Sequence, residues 1–284
     1  MDTKFNLGSM NKMFTAVAIA QLVEQGRLSF EDPLAKYMPN FPDKKSSQKI
    51  RISHLLSHTS GLGNYFNDKY NATPKDQLKT VDDFLGLVKE EKLAFEPGTK
   101  YQYSNTGFMV LGKIIELVTQ KSYFDYIDEH VYRTASMPHP GSFDLTKVNH
   151  NLAVGYDKEY ADGGYSFNNN LFRHVVKGGP AGGGCSTAGD LLNFSRALQA
   201  GKLISLAMLE KTMTREGLNQ HYGFGFEVRA DPILGKSFGH SGGFIGISSE
   251  LTIFPQSGYT AAILSNYSMG SMVASIKLQN IIQR

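Results

Sequence analysis

Tryptophan is missing from this chain of 284 residues, and cysteine occurs once, as Cys185. A single cysteine excludes an internal disulfide framework and any cluster of thiolate metal ligands. No apolar run approaches the roughly 18–20 residues that a membrane-spanning helix requires, so no membrane span is expected. Neither sign of charge dominates: 29 Lys and Arg against 26 Asp and Glu leave a net +3. That balance is too even for a nucleic-acid-binding footprint. Met1 to Gly8 carry neither a basic start nor an apolar stretch, so no signal peptide is visible and the compartment stays open. The oligomeric state is equally open. Repeats and low-complexity tracts are lacking. The G-x-G pattern near Gly182 is not followed by a strand-to-helix turn with a distal acid, which leaves nucleotide binding unsupported. No cofactor and no metal is expected. Among the histidines only His54 and His58 stand four apart on a helix, and packing is the expected role of His58. Cys185 has no base paired with it in sequence and is expected to be a buried structural thiol.

Apolar residues make up 41% of the chain, enough for a substantial core, and 29 glycines and 14 tyrosines point to many tight turns and polar-tipped aromatics. The length allows one large domain or two interleaved lobes. Lys12 to Gln25 is apolar on nearly every face, the pattern of a helix buried inside the protein. Asp32 to Lys49 is polar and proline-containing. Further helices are expected over Ile52 to His58, Val81 to Glu91, Asn105 to Gln120, Tyr123 to Tyr132 and Thr187 to Gln199. Gly141 to Gly184 turns to Gly, Asn and Tyr and is expected to be loops with little regular structure. After Tyr222 the period becomes strand-like. Phe224–Val228, Ser237–His240, Ser248–Phe254 and Tyr259–Leu264 are expected strands, with a turn at Pro255 to Gly258. Met269 to Ile282 reads as a closing helix. The expected class is α/β in the broad α+β sense: an antiparallel sheet flanked by helices, plus a mostly helical second lobe. The sheet lobe is expected at about 1–27 and 180–284, and the helical lobe at about 28–179.

Ser9 and Lys12 are three residues apart at the head of the most apolar helix in the chain, so the amine can reach the hydroxyl. Burial lowers a lysine pKa and frees a neutral amine to act as a base, which activates the serine as a nucleophile. The same spacing recurs at Ser46 and Lys49, but in a polar run where nothing buries the lysine. Tyr103 and Asn105 form a second pair: the phenol can shuttle a proton, and the carboxamide can bind both Lys12 and a substrate amide. Their spacing recurs at Tyr65 and Asn67. A third group, Gly239-His240-Ser241-Gly242-Gly243, ends an expected strand where glycines let a ligand approach the backbone. His240 there can hydrogen-bond a substrate carboxylate. The repeat of H-x-G at His139 lies among prolines that disfavour a strand.

Together the three boxes resemble those of the serine β-lactamase and penicillin-binding-protein superfamily, in its class C-like branch. That branch includes class C β-lactamases, D-alanyl-D-alanine carboxypeptidases and several esterases. The segments Leu55 to Leu62, Glu96 to Thr99, Tyr103 to Gly112, Pro180 to Leu192 and Tyr222 to Gly225 are also similar to family segments. The resemblance implies a single catalytic domain of the β-lactamase/transpeptidase-like fold over 1–284. It implies Ser9 as the acylated nucleophile, Lys12 as its proton partner and Tyr103 as general acid or base. Asn105, His240 and Gly242 are the implied substrate-binding residues, and the backbone N–H groups of Ser9 and Gly243 the implied oxyanion hole. Family members carry several dozen residues before the serine, supplying a helix and two strands. Eight residues precede Ser9 here, so a truncated form or a sheet with a free edge is expected. His240 stands where β-lactamases usually carry lysine, which favours esters or small amides over β-lactams. Carboxylate-bearing substrates are expected to improve as pH falls through the His240 pKa.

The leading reading is therefore a serine hydrolase that forms an acyl-enzyme on Ser9, an esterase or D-amino-acid peptidase. A β-lactamase or penicillin-binding protein is the near alternative. A non-catalytic binding protein that keeps the fold is the third. The expected partner is a small ester, peptide or β-lactam, not nucleic acid.

Overall fold

The computed structural model describes residues 2–161, 163–214 and 218–282. At its centre lies α1 (Asn11–Glu24), in which every residue from Asn11 to Leu22 is buried. Its run of alanines between Val17, Ile19 and Leu22 lets neighbours pack on all sides, as the all-round apolar pattern requires. Phe14 meets the rings of Phe194 and Tyr132 edge-on, with centroids 4.9 and 5.2 Å apart. The chain enters α1 through β1 (Phe5–Asn6) and a tight 3-10 turn over Gly8–Met10.

Between α1 and residue 180 the described chain forms short helices around one long one, over Asn105–Thr119. These are α2 (Lys44–Lys49), α3 (Ile52–Leu56), α4 (Asp68–Ala72), α5 (Val81–Leu87), α6 (Asn105–Thr119) and α7 (Tyr123–Ile127). α7 runs on through a wide turn over Asp128–Tyr132, so the expected helix through Tyr132 is present as two pieces. Helices α2 and α4 were not expected. Neither has an apolar period; each is started by one side chain, Asp43 accepting from the Lys45 and Ser46 N–H groups and Asn67 accepting from that of Tyr70. Ser104 caps α6 by accepting from the Gly107 N–H, and Gln120 ends it in the left-handed region at φ 58°.

The expectation of loops from Gly141 to Gly184 is corrected. β2 (Tyr156–Ala161) and β3 (Gly164–Asn169) form an antiparallel hairpin, in register from Tyr156 opposite Asn169 to Ala161 opposite Gly164. One face carries Tyr156, Lys158, Tyr160, Tyr165 and Phe167, and Lys158 lies 4.2 Å over the Tyr165 ring. Because this hairpin does not bury its apolar face, the tyrosines read as loop aromatics. The region 28–179 is thus helical with a strand hairpin appended.

The chain returns as β4 (Cys185–Ser186), which pairs with β1. α8 (Ala188–Gln199) follows, then an unexpected α9 (Leu206–Thr212) capped by Ser205. The four-stranded sheet is an antiparallel meander of β5 (Glu227–Asp231), β6 (Gly235–Phe244), β7 (Ile247–Phe254) and β8 (Tyr259–Ser265). β5 begins three residues later than expected, because Phe224 and Phe226 are buried in the loop before it. β7 is buried along its whole length, so both faces are covered. On one face α10 (Gly270–Ile282) bonds through Ser271 to Ser248 at 2.7 Å and through Ser275 to Glu250 at 2.9 Å. On the other, Leu251 and Ile253 join the core, and Ser195 of α8 meets Thr260 at 2.9 Å.

Gly112 shows how closely α6 approaches the segment before the sheet. A Cβ at this position would lie 2.1 Å from Pro180 Cγ. Alanine is favoured over glycine by about 1 kcal/mol within a helix, yet here the clash decides the sign. Gly112→Ala is expected to destabilise the protein by ~1–3 kcal/mol, the usual result of overpacking. Urea unfolding checks this, and a stabilised variant would contradict the contact.

Candidate active site

The turn that carries Ser9 is shaped by Gly8, which sits at φ +50°. A Cβ there would lie 2.8 Å from the Gly243 nitrogen, so the turn lies flush against β6. Lys12 is one helical turn beyond, fully buried, with Nζ 3.2 Å from Ser9 Oγ. The same Nζ donates to Asn105 Oδ1 at 2.6 Å and to the Ala181 carbonyl at 2.5 Å. Burial holds its pKa well below the usual lysine value. Both of those acceptors lack protons to give. A neutral amine that donates one N–H to each therefore turns its lone pair toward the Ser9 hydroxyl. The second serine–lysine pair has no such setting. Ser46 donates its hydroxyl to Asp43, the cap of α2, and Lys49 pairs at 2.6 Å with an exposed Glu96.

Burial raises the Tyr103 pKa well above the usual phenol value, with the neighbouring Ser9 opposing that shift. Its ring lies 4.8 Å from Lys12 Nζ. Asn105 bridges outward as well, donating from Nδ2 to Asn64 Oδ1 at 3.1 Å. The structure thus brings Ser9, Lys12 and Asn105 into one hydrogen-bonded group, with Tyr103 packed beside it. Behind it stands His58, at φ +60°, whose ring lies 4.2 Å from that of Tyr103. Its Nδ1 accepts from the Ser104 N–H at 3.0 Å, which holds the turn bearing Tyr103 and Asn105 in place. Burial, then the nearby Lys12 and His240, keep this imidazole neutral.

His240 does not reach the cleft. It is buried, with Nε2 2.8 Å from the Tyr222 hydroxyl and Nδ1 2.5 Å from the Ser241 carbonyl. A carbonyl only accepts, so Nδ1 carries the proton and Tyr222 donates to Nε2. Glu227 Oε1 lies 3.6 Å from Nδ1 and accepts from the Ser241 N–H and hydroxyl at 3.0 and 2.5 Å. Burial lowers the His240 pKa to about 4 even with Glu227 opposing it. Both ring nitrogens are thus engaged inside the protein. Any gain with falling pH is displaced to about pH 4, since burial lowers the His240 pKa to that value. Gly242, also expected to bind substrate, faces the same way. A Cβ on it would meet the Leu7 carbonyl at 2.0 Å, so its job is to let β6 touch the serine-bearing turn. The next residue, Gly243, does line the cleft.

The cleft has a volume of about 220 Å³ and is lined by Ser9, Tyr103, Asn105 and Gly243. An aromatic wall of Tyr65, Phe66, Tyr70 and Phe244 faces them. Sequence reading missed that wall, because Tyr65 and Asn67 read only as a stray repeat of the Tyr103–Asn105 spacing. It also missed Ala181, which contributes only a carbonyl. Tyr222 opens a segment that resembles family sequence and Glu227 follows it, but no spacing links them to His240. Cys185 is buried in β4 with its thiol pushed up to about 12.

The chain matches the Beta-lactamase family over residues 1–282. The chain belongs to that family. It is 31% identical over 280 residues to a penicillin-binding protein of Bacillus subtilis (strain 168), an alignment covering 93% of this chain and 61% of that protein's length. The crystal structure of a penicillin-binding protein from Bacillus halodurans superposes with a TM-score of 0.88 at 30% identity, covering 98% of this chain and 86% of the other. A D-amino acid amidase from Ochrobactrum anthropi SV3 shares the fold at a TM-score of 0.81 and 20% identity, covering 99% of this chain and 84% of that one. The fold is the β-lactamase/transpeptidase fold, as the family resemblance implied.

The buried neutral His240 carries a consequence for stability in this family member. The folded chain keeps it unprotonated down to about pH 4, whereas an unfolded histidine takes up a proton near pH 6.5. Between those values the unfolded state binds more protons, so stability rises with pH and is lost on acidification. Urea unfolding is expected to give a lower free energy at about pH 5 than at about pH 7. His240→Gln is expected to shrink that difference, although His58 adds to it in the same direction. An equal difference in both proteins would contradict the assignment.

Proposed function

We propose that the protein is a serine hydrolase that cleaves an ester or amide through an acyl-enzyme on Ser9. One observation carries the reading: the buried Lys12 amine, fixed by Asn105 and Ala181, points its third position at Ser9 Oγ. In this reading Lys12, with Tyr103 beside it, takes the hydroxyl proton as Oγ attacks the carbonyl carbon. The tetrahedral oxyanion lies against the backbone N–H groups of Ser9 and Gly243. Tyr103 gives its own hydroxyl proton to the leaving oxygen or nitrogen and recovers one from the Lys12 ammonium, and the acyl group stays on Ser9 until water releases it. Asn105 binds an amide of the substrate. No cofactor enters the scheme.

A second reading, acylation by penicillin, is favoured by the names of the relatives above. The position of His240 supports the ester and small-amide reading over efficient β-lactam turnover. A lysine at this point would offer a cation to the β-lactam carboxylate, and such charge-assisted contacts contribute about 1.5–3 kcal/mol. The buried imidazole supplies none.

Mass spectrometry after incubation with a nitrophenyl ester or a labelled penicillin is expected to locate the acyl group on Ser9. Ser9→Ala should abolish nitrophenyl ester turnover without unfolding the protein, and Lys12→Ala and Tyr103→Phe should each cost at least ~10²-fold in kcat. Full activity in Ser9→Ala, or loss on Ser46→Ala instead, would refute the choice of nucleophile.

A further inference from the structure

Two aromatic rings meet across the mouth of the cleft, from segments far apart in sequence. Phe66 lies between α3 and α4, and Phe244 ends β6. Their rings are nearly parallel, 20° apart in plane, with centroids 5.6 Å apart. Behind Phe66 stand two buried rings: Tyr65 at 4.5 Å and Tyr70 edge-on at 4.9 Å. Tyr65 and Tyr70 are 6% and 5% exposed and act as a fixed floor, whereas Phe66 is 41% exposed at the rim. Aromatic faces with this offset and edge-on geometry bind a further flat ring well. The space is sufficient. An apolar cavity of roughly 150 Å³ takes benzene, and this one measures about 220 Å³.

The charge of the lining is equally informative. None of the described residues lining the cleft is Asp, Glu, Lys or Arg. Its one histidine, His174, bonds through Nδ1 to the Val175 carbonyl at 2.9 Å. The Lys12 amine below is taken up by Asn105, Ala181 and Ser9. An acyl group that brings a carboxylate or an ammonium into this space would be desolvated without a partner.

We infer that Phe66 and Phe244 form an aromatic clamp that selects substrates whose acyl side is uncharged and carries an aromatic ring. The inference rests on the acyl-enzyme reading of Ser9 and names the substrate class for it. The substrate ring packs on the cleft-facing side of this stacked pair while the carbonyl carbon lies at Ser9, so the preference is for a ring set off from the carbonyl by a short linker. The leaving group is not selected by these residues.

The test compares three nitrophenyl esters: acetate, phenylacetate and the hemisuccinate, whose acyl chain ends in a carboxylate. Wild type is expected to favour phenylacetate over acetate by at least about tenfold in kcat/KM, and to disfavour the hemisuccinate. In Phe66→Ala and in Phe244→Ala the ratio of phenylacetate to acetate should fall toward one, mainly through KM, and Phe66→Tyr should restore it. An unchanged ratio in the alanine variants, whatever their absolute rates, overturns the clamp. So does a wild type that favours the hemisuccinate. Because the chain has no tryptophan, Phe244→Trp places a single fluorophore in the clamp as a readout that needs no turnover. Its emission should change saturably with phenylacetamide and not with acetamide, and equal responses overturn the proposal. Failure of the acyl-enzyme reading is separate: it would show as ester turnover that survives Ser9→Ala, with the clamp ratios unaffected.

Discussion

The rest of the structure depends on keeping one amine dry. A lysine with no exposed surface cannot remain a solitary ammonium in an apolar core, because the cost of desolvating an unpaired charge is too high. Lys12 escapes that cost in two ways: it is pushed toward the neutral form, and its N–H groups find oxygens on Asn105 and Ala181. Those two partners belong to α6 and to the glycine-rich segment ahead of β4, so a single side chain ties three parts of the chain together. α1 has to be apolar all round for this to work, since any hydrated face would bring water to the amine.

The elements around the amine are held by equally specific contacts. His58 bonds the Ser104 N–H and stacks on Tyr103, which fixes the phenol beside Ser9. Gly8 and Gly242 remove side chains where the serine-bearing turn meets β6. Glu227 binds the backbone and hydroxyl of Ser241, which anchors the strand from its outer end. Two buried imidazoles lie near Lys12, and burial keeps both neutral. A charged imidazole at either place would compete with the amine for the local field and depress its basicity further. The neutral histidines therefore protect the one base that the chemistry needs.

The sequence by itself determined the parts that follow local rules. The all-round apolar run of α1, the apolar stripe of α6 and the alternating strands of the sheet are set by period, which neighbouring residues alone specify. The pairing of Ser9 with Lys12 is of this kind, being a matter of one helical turn. Helices α2 and α4 escaped because a cap starts them, not a period. The β2–β3 hairpin escaped because its alternating face stays exposed, so nothing marked its tyrosines as strand residues. Only the tertiary structure decided which way His240 points, since that follows from Tyr222 packing on β6 and not from the glycines around it. It alone decided that Lys12 meets partners 93 and 169 residues away, and that Phe66 meets Phe244. Such contacts depend on how whole elements pack, and no local spacing encodes the distance between elements that are far apart along the chain.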